Sequence, residues 1–443
     1  MPDLAHPRPP GLPHLAHADA GTPQPAMQWD VFCRVIDNHG DLGVCWRLAC
    51  HLAALGSAVR LWVDHATDLQ WMAPNGHPGV QVLPWPSDNA WPVLPHPLIT
   101  PLAQPPNAPT ALTVSASEGS CPPMLHGVIE AFGCELPDTE QAALAAERPA
   151  PVWINLEYLS AEAHVERLHG LPSPVMSGPA QGLQKWFFYP GFTAQTGGLL
   201  HPFPPKTLAT QQTDPKALDA TSALTATFSD TNADGISASC HHTLEGSGYD
   251  HAARPALRVL LFCYEPASLP NWLTAWADGP QPIDLSVCAG RASLAVQAWQ
   301  AQRGAKGDGA LCITHLPWVS QVEFDALLAQ HDLNLVRGED SLVRALWAGQ
   351  ALLWQIYPQD DGVHHTKLAA FLSALGAPPT LAQAHRAWNA DSAQSPPALS
   401  RADLQSWGHW VRGVRQGLLA QADLAHQLTA FAAAKRGAPN PQG

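Results

Sequence analysis

Short apolar runs alternate along this chain with segments whose apolar residues recur at helical spacing. That alternation predicts doubly wound α/β sheets. The clearest unit comes first. Trp29–Ile36 (WDVFCRVI) reads as a strand and Asp37–Gly43 (DNHGDLG) as a loop. From Val44 to Leu55, residues Val44, Leu48, Leu52 and Leu55 share one helical face, and Gly56 stops the helix. Ala58–Val63 is the next strand. A right-handed crossover sets the DNHGDLG loop at the carboxyl edge of the sheet, where open α/β sheets bind ligands.

A second run of the same kind follows. Its strands are predicted at Leu257–Tyr264, Ile283–Ala289, Leu311–Leu316, Leu333–Val336 and Ala351–Ile356. The segments Ala267–Trp276, Ala292–Gln302, Gln321–Gln330 and Ser341–Trp347 between them have helical spacing. The first half offers fewer clean strands after Val63, at Gly127–Phe132, Val152–Asn155 and Lys185–Phe188. Arg401–Arg436 reads as an Ala/Leu/Gln-rich helical tail. The predicted organisation is an N-terminal Rossmann-like domain over 27–201 and a C-terminal one over 255–385, with a helical tail over 386–443. Two Rossmann-like domains facing a central cleft form the GT-B glycosyltransferase architecture. Some dehydrogenases and epimerases share it, so fold alone does not choose the chemistry.

Composition trims this picture. Of the 443 residues, Met1–Ala26 carries seven prolines, Pro84–Pro123 eleven, and Pro202–Arg254 thirteen Ser/Thr. These read as a disordered extension (1–26), a Pro-rich insert (84–123) and a low-complexity insert (202–254). The remainder suffices for two cores. Apolar runs such as Val259–Cys263 fall far short of the ~20 residues of a membrane helix. The N-terminus lacks the basic-then-apolar pattern of a secretory signal. Nine scattered cysteines without a CxxC pair read as reduced thiols of a cytoplasmic protein. A formal charge of −14 argues against a broad nucleic-acid surface.

Two loops are candidates for chemistry. In DNHGDLG, Asp37 and Asp41 stand before a helix, where a carboxylate can accept a proton from an acceptor nucleophile; Asp41 can equally cap the helix. The loop is not GxGxxG, so no dinucleotide cofactor is indicated. In the second, Leu335–Ala345 (LVRGEDSLVRA), Arg337, the Ser341 hydroxyl and a helix start can hold a diphosphate, and Glu339 can accept from ribose or sugar hydroxyls. The alternative is capping by Asp340 or Ser341 with a surface Arg337–Glu339 pair. Acidic groups beside a phosphate cost energy unless they point away. Tyr264, Phe324 and Tyr357 can frame a base or a sugar, or simply pack. Asn155–Glu162 reads as a helix start capped by Ser160. His364 and His365 near Asp360 and Asp361 lack the further ligands of a closed metal site, so no metal is expected.

Seven segments then carry a specific resemblance, among them Val31–Ala49 (VFCRVIDNHGDLGVCWRLA), Ile154–Glu162 (INLEYLSAE), Leu333–Gly349 (LNLVRGEDSLVRALWAG) and Trp354–Leu368 (WQIYPQDDGVHHTKL). In this order they resemble the bacterial EarP family, protein-arginine rhamnosyltransferases that modify translation elongation factor P. The resemblance implies a GT-B fold and inverting transfer of L-rhamnose from dTDP-β-L-rhamnose to an arginine of elongation factor P. It implies a donor site at Tyr264, Gln321, Phe324, Arg337, Glu339, Asp340, Ser341 and Tyr357, and acceptor-side carboxylates at Asp37 and Asp41. Asp41 is the choice for general base or for orienting the guanidinium. No cofactor is implied beyond the co-substrate. The competing readings are a GT-B transferase with another donor or acceptor, and a catalytically silent module that binds elongation factor P or a nucleotide.

Overall fold

The structure, a computed structural model, describes residues 27–36, 39–85, 125–202, 256–359, 362–392 and 394–437. The N-terminal extension and nearly all of both inserts lie outside these, as do Asp37, Asp360 and Asp361.

The first domain is a seven-stranded sheet. Its strands are β1 (Gln28–Cys33), β2 (Ala58–Val63), β3 (Val80–Pro84), β4 (Leu125–Ala131), β5 (Val152–Leu156), β6 (Pro172–Pro174) and β7 (Gln184–Phe188). They are ordered β3-β2-β1-β4-β5-β7-β6, and only the short edge strand β6 runs antiparallel. The second domain is an all-parallel sheet of β8 (Leu257–Leu261), β9 (Ile283–Val287), β10 (Leu311–His315), β11 (Leu333–Arg337) and β12 (Ala351–Gln355), ordered β10-β9-β8-β11-β12. Both sheets thus contain the 3-2-1-4-5 order of a Rossmann fold, the GT-B arrangement. Order reverses between β1 and β4 in one sheet and between β8 and β11 in the other. Loops leaving those strands diverge and open a crevice.

Ten of the twelve described strands form where expected, and several do so because they are buried on both faces: every residue of β11 and β12 is buried. Strands β3 and β6, at the two edges of the first sheet, are not among the expected ones; β3 mixes buried and exposed positions and β6 is three residues long. The helices differ more. Helix α1 spans Gly40–Ala54, so it begins inside the segment read as a loop and holds Asp41 in its first turn. Helix α8 spans Gly338–Ala348 and likewise starts earlier than its apolar pattern. Its first residue, Gly338, has φ +60, a conformation that lets the chain turn from β11 straight into the helix. Ser160 does not cap a helix. Its hydroxyl donates to Glu162 and accepts from the Glu162 N–H, and the following helix starts at Ala163.

The tail is not a unit of its own. Helix α10 (Pro379–Trp388) crosses the expected 385/386 boundary, and α11 (Arg401–Leu419) packs on β12 and α8. Helix α12 (Leu424–Gly437) returns to the first domain, against α1 and β5. The break between α11 and α12 centres on Asp423. Its carboxylate accepts the N–H of Ala425 and of His201, both at 2.8 Å, and lies 3.2 Å from His51 Nδ1. Burial raises the Asp423 pKa, but the His51 contact and the His201 amide outweigh it and hold the carboxyl well below the usual range.

His385, fully buried on α10, ties that helix to β12 by accepting the Trp354 N–H at Nε2, with Nδ1 3.1 Å from the Leu381 carbonyl. Burial pushes its pKa down to about 4 from 6.5. The unfolded chain therefore binds this proton more tightly, so stability rises with pH across that window. Acidification from pH 6.5 to 4 should cost about 3 kcal/mol through this ring alone. Urea unfolding at pH 7 and pH 4.5 checks this. His385→Gln should flatten the dependence measurably, and an unchanged slope would assign it to other groups.

Candidate active site between the two domains

The two switch points meet across one cavity. From the second domain it is lined by Phe262 after β8, Cys288 and Ala289 after β9, Pro317–Val319 after β10, Gln321 and Phe324 on α7 (Gln321–Gln330), and Arg337, Asp340, Ser341 and Arg344 around the start of α8. From the first domain come His39 and Gly40 at the start of α1, and Trp71 and Met72 on α2 (Leu69–Met72). His39, Trp71 and Trp318 close one side, with Trp71 and Trp318 ring centroids 4.7 Å apart across the domain boundary.

Arg337 dominates the electrostatics. Its side chain is 7% exposed, and its guanidinium lies over Phe262 at 4.8 Å and Tyr264 at 4.5 Å. Nη1 is buried without a hydrogen-bond partner. A buried, unpartnered guanidinium nitrogen is costly and suits an arriving anion. The other arginine on this wall is committed. Arg344 donates to Asp325 at 2.8 Å, to Asp340 at 3.3 Å and to the Gln321 carbonyl. The first N–H groups of α8 add a positive end to the same wall.

The site residues expected from sequence divide into three groups. Gln321, Phe324, Arg337, Asp340 and Ser341 line the cavity together. The Ser341 hydroxyl, however, bonds back to the N–H and carbonyl of Arg337, so it caps the turn instead of facing a ligand. Tyr264 and Tyr357 are outside the lining, their rings edge-to-face at 5.4 Å; Tyr264 is buried with its ring under the Arg337 guanidinium, whereas Tyr357 is exposed. Glu339 faces the other domain, where its Oε2 accepts the Leu159 N–H at 2.8 Å. Asp41 follows the lining residue Gly40; its buried carboxylate accepts the Ile36 N–H at 2.9 Å and fixes the turn between β1 and α1.

Sequence reasoning did not single out Phe262, Trp71, Trp318 or Arg47. Phe262 sat within the apolar run of a predicted strand. Arg47 lay within the matched DNHGDLGVCWRLA segment, which was the available signal. Among the described residues, His364, His365 and Asp391 also gather, with His365 Nε2 3.0 Å from Asp391. His364 Nδ1 accepts the Gln359 N–H, so its Nε2 carries the proton in the neutral ring and offers no lone pair to a metal. The seven described cysteines are free; Cys288, in the cavity wall, is pushed up to about 12 by burial and is inert as a nucleophile. No described helix is long and apolar enough to cross a membrane.

Known proteins match over the same span. The family model described as "Elongation-Factor P (EF-P) rhamnosyltransferase EarP" matches residues 29–99 and 113–433. A protein-arginine rhamnosyltransferase of Pseudomonas putida is 39% identical over 428 residues, covering 91% of this chain and 98% of its own. One from Pseudomonas aeruginosa is 38% identical over 376 residues, covering 82% and 87%. A solved structure, "Structural basis for EarP-mediated arginine glycosylation of translation elongation factor EF-P", is 28% identical with a TM-score of 0.50, covering 93% of this chain and 99% of that one. With the model spanning most of its length and both Rossmann-like domains in place, this chain belongs to the EarP family of elongation factor P rhamnosyltransferases.

Proposed function

We propose that this protein transfers L-rhamnose from dTDP-β-L-rhamnose to an arginine side chain of elongation factor P, with inversion at the anomeric carbon. The observation that carries the donor half is Arg337. It carries a buried, unpartnered nitrogen and lines a cavity at the start of α8, where a diphosphate would find both a guanidinium and helix amides. Phe262 and Phe324, edge-to-face at 5.3 Å, offer aromatic surface to a pyrimidine.

The acceptor half follows from chemistry. A guanidinium has a pKa above ~12 and is a poor nucleophile. One nitrogen must attack the anomeric carbon as the bond to the diphosphate oxygen breaks. The proton lost from that nitrogen needs a base, and a carboxylate both orients a guanidinium and accepts its proton. Asp41 is the proposed base, with Asp37 supporting it. The electron pair of the breaking bond leaves on dTDP, whose charge Arg337 and the α8 amides stabilise. No metal is required by this scheme.

The test incubates the purified chain with dTDP-β-L-rhamnose and elongation factor P. The expected result is a mass gain of one deoxyhexosyl unit on one arginine, with an α-linkage by NMR. Transfer from a different sugar nucleotide alone, or binding of dTDP without transfer, would replace this reading.

A further inference from the structure

Helix α1 is docked on the start of α8, and the contacts are few and specific. Gln321 Nε2 donates to the Gly43 carbonyl at 3.4 Å. A Cβ on Gly43 would stand 3.1 Å from Asp340 Oδ2, a contact tight enough that a larger residue would require the carboxylate to shift. Arg47 Nη1 donates to Asp340 Oδ1 at 2.7 Å, and its Nη2 donates to the carbonyls of Leu200 and His201, each at 3.3 Å. Arg47 is 8% exposed.

Asp340 lines the cavity that holds the free Arg337 nitrogen. An uncompensated carboxylate there would repel a diphosphate. Two arginines compensate it, one per oxygen. Arg344 lies four residues along the same helix and stays with Asp340 whatever the domains do. Arg47 comes from the other domain and reaches Asp340 only when α1 is docked.

We propose that Arg47 is a positioning residue and that its ion pair with Asp340 is a closure latch. The pair docks α1, with Asp41 in its first turn, on the nucleotide wall. In the same contact it cancels the charge that would oppose the donor. Donor binding and domain closure then favour each other, since any coupling between two equilibria is reciprocal. That the anion is a nucleotide diphosphate rests on the reading proposed above; the latch itself rests on the contacts.

Two measurements test it: hydrogen exchange at the Leu159 amide, whose bond to Glu339 crosses the domain boundary, and titration with dTDP. Arg47→Met should speed Leu159 exchange in the ligand-free protein by about tenfold or more and weaken dTDP by about tenfold. Adding Asp340→Asn to Arg47→Met should return dTDP affinity to within about threefold of the parent while exchange stays fast. A double variant that binds dTDP no better than Arg47→Met would make Arg47 merely structural and overturn the proposal. So would an Arg47→Met protein with unchanged exchange and affinity. If Arg47→Met does not fold, Arg47→Lys decides, because it keeps the charge. It should hold dTDP within about threefold, and a loss of tenfold or more would sink the idea. If the parent protein takes up no dTDP, the donor reading fails, and the exchange rates alone decide the latch.

Discussion

Asp41→Asn should lower turnover by about 10²- to 10⁴-fold, the usual contribution of a general base, while leaving dTDP affinity within about threefold. Asparagine keeps the shape of the side chain and can still accept the Ile36 N–H, so the turn between β1 and α1 survives. In the proposed scheme it loses the negative charge that would hold a guanidinium and the carboxylate basicity that would take its proton. The two losses act on the same step, so kcat bears the effect and not donor binding. Turnover at saturating donor and acceptor, beside calorimetric titration with dTDP, separates them. Near-normal turnover would move the base elsewhere, with Asp37 the next residue to substitute.

The second large effect concerns the donor wall. Arg337→Met should weaken dTDP by about 30- to 150-fold, the equivalent of roughly 2–3 kcal/mol for a charge-assisted bond made in a buried site. Met fills much of the space between Phe262 and Tyr264 without charge. The same substitution should leave the thermal midpoint unchanged or raised, because the parent buries a nitrogen with no partner. Arg337→Lys should recover only part of the affinity, since a point charge cannot stack as a planar fork does. A variant that binds dTDP normally but melts much earlier would make Arg337 a structural residue.

Much of this architecture could be read from the chain, for a physical reason. Strands β8, β11 and β12 are largely covered on both faces, so they appear as apolar-rich runs between turns, interrupted only by single polar residues such as Arg258 and Asn334 or ended by Arg337 and Gln355. Helix starts were less visible. The first turns of α1 and α8 hold Gly, Asp, Glu and Ser, residues that look like loop because their work is in turns and end groups. Strand β6 is three residues of a proline-flanked edge and carries no pattern. In the site, Gln321 came only with the family resemblance, whereas Arg337 was legible because a strand end announced it and Phe324 because it is an aromatic on a helix between two strands. Phe262 was not, since an aromatic in an apolar run looks the same whether it faces core or cavity. Nor was the direction of Glu339 and Asp340. Adjacent residues on one turn point apart, and only the neighbouring domain decides that one meets Leu159 and the other Arg47.

The Asp423 junction has a practical consequence. The chain passes between the domains at His201 and again at Asp423, and one carboxylate holds both passages. The backbone is therefore fastened just before residue 203, and β8 picks it up again at Leu257, whose N–H bonds to Pro282. Asp423→Asn should therefore loosen both crossings together, which a lowered thermal midpoint would show.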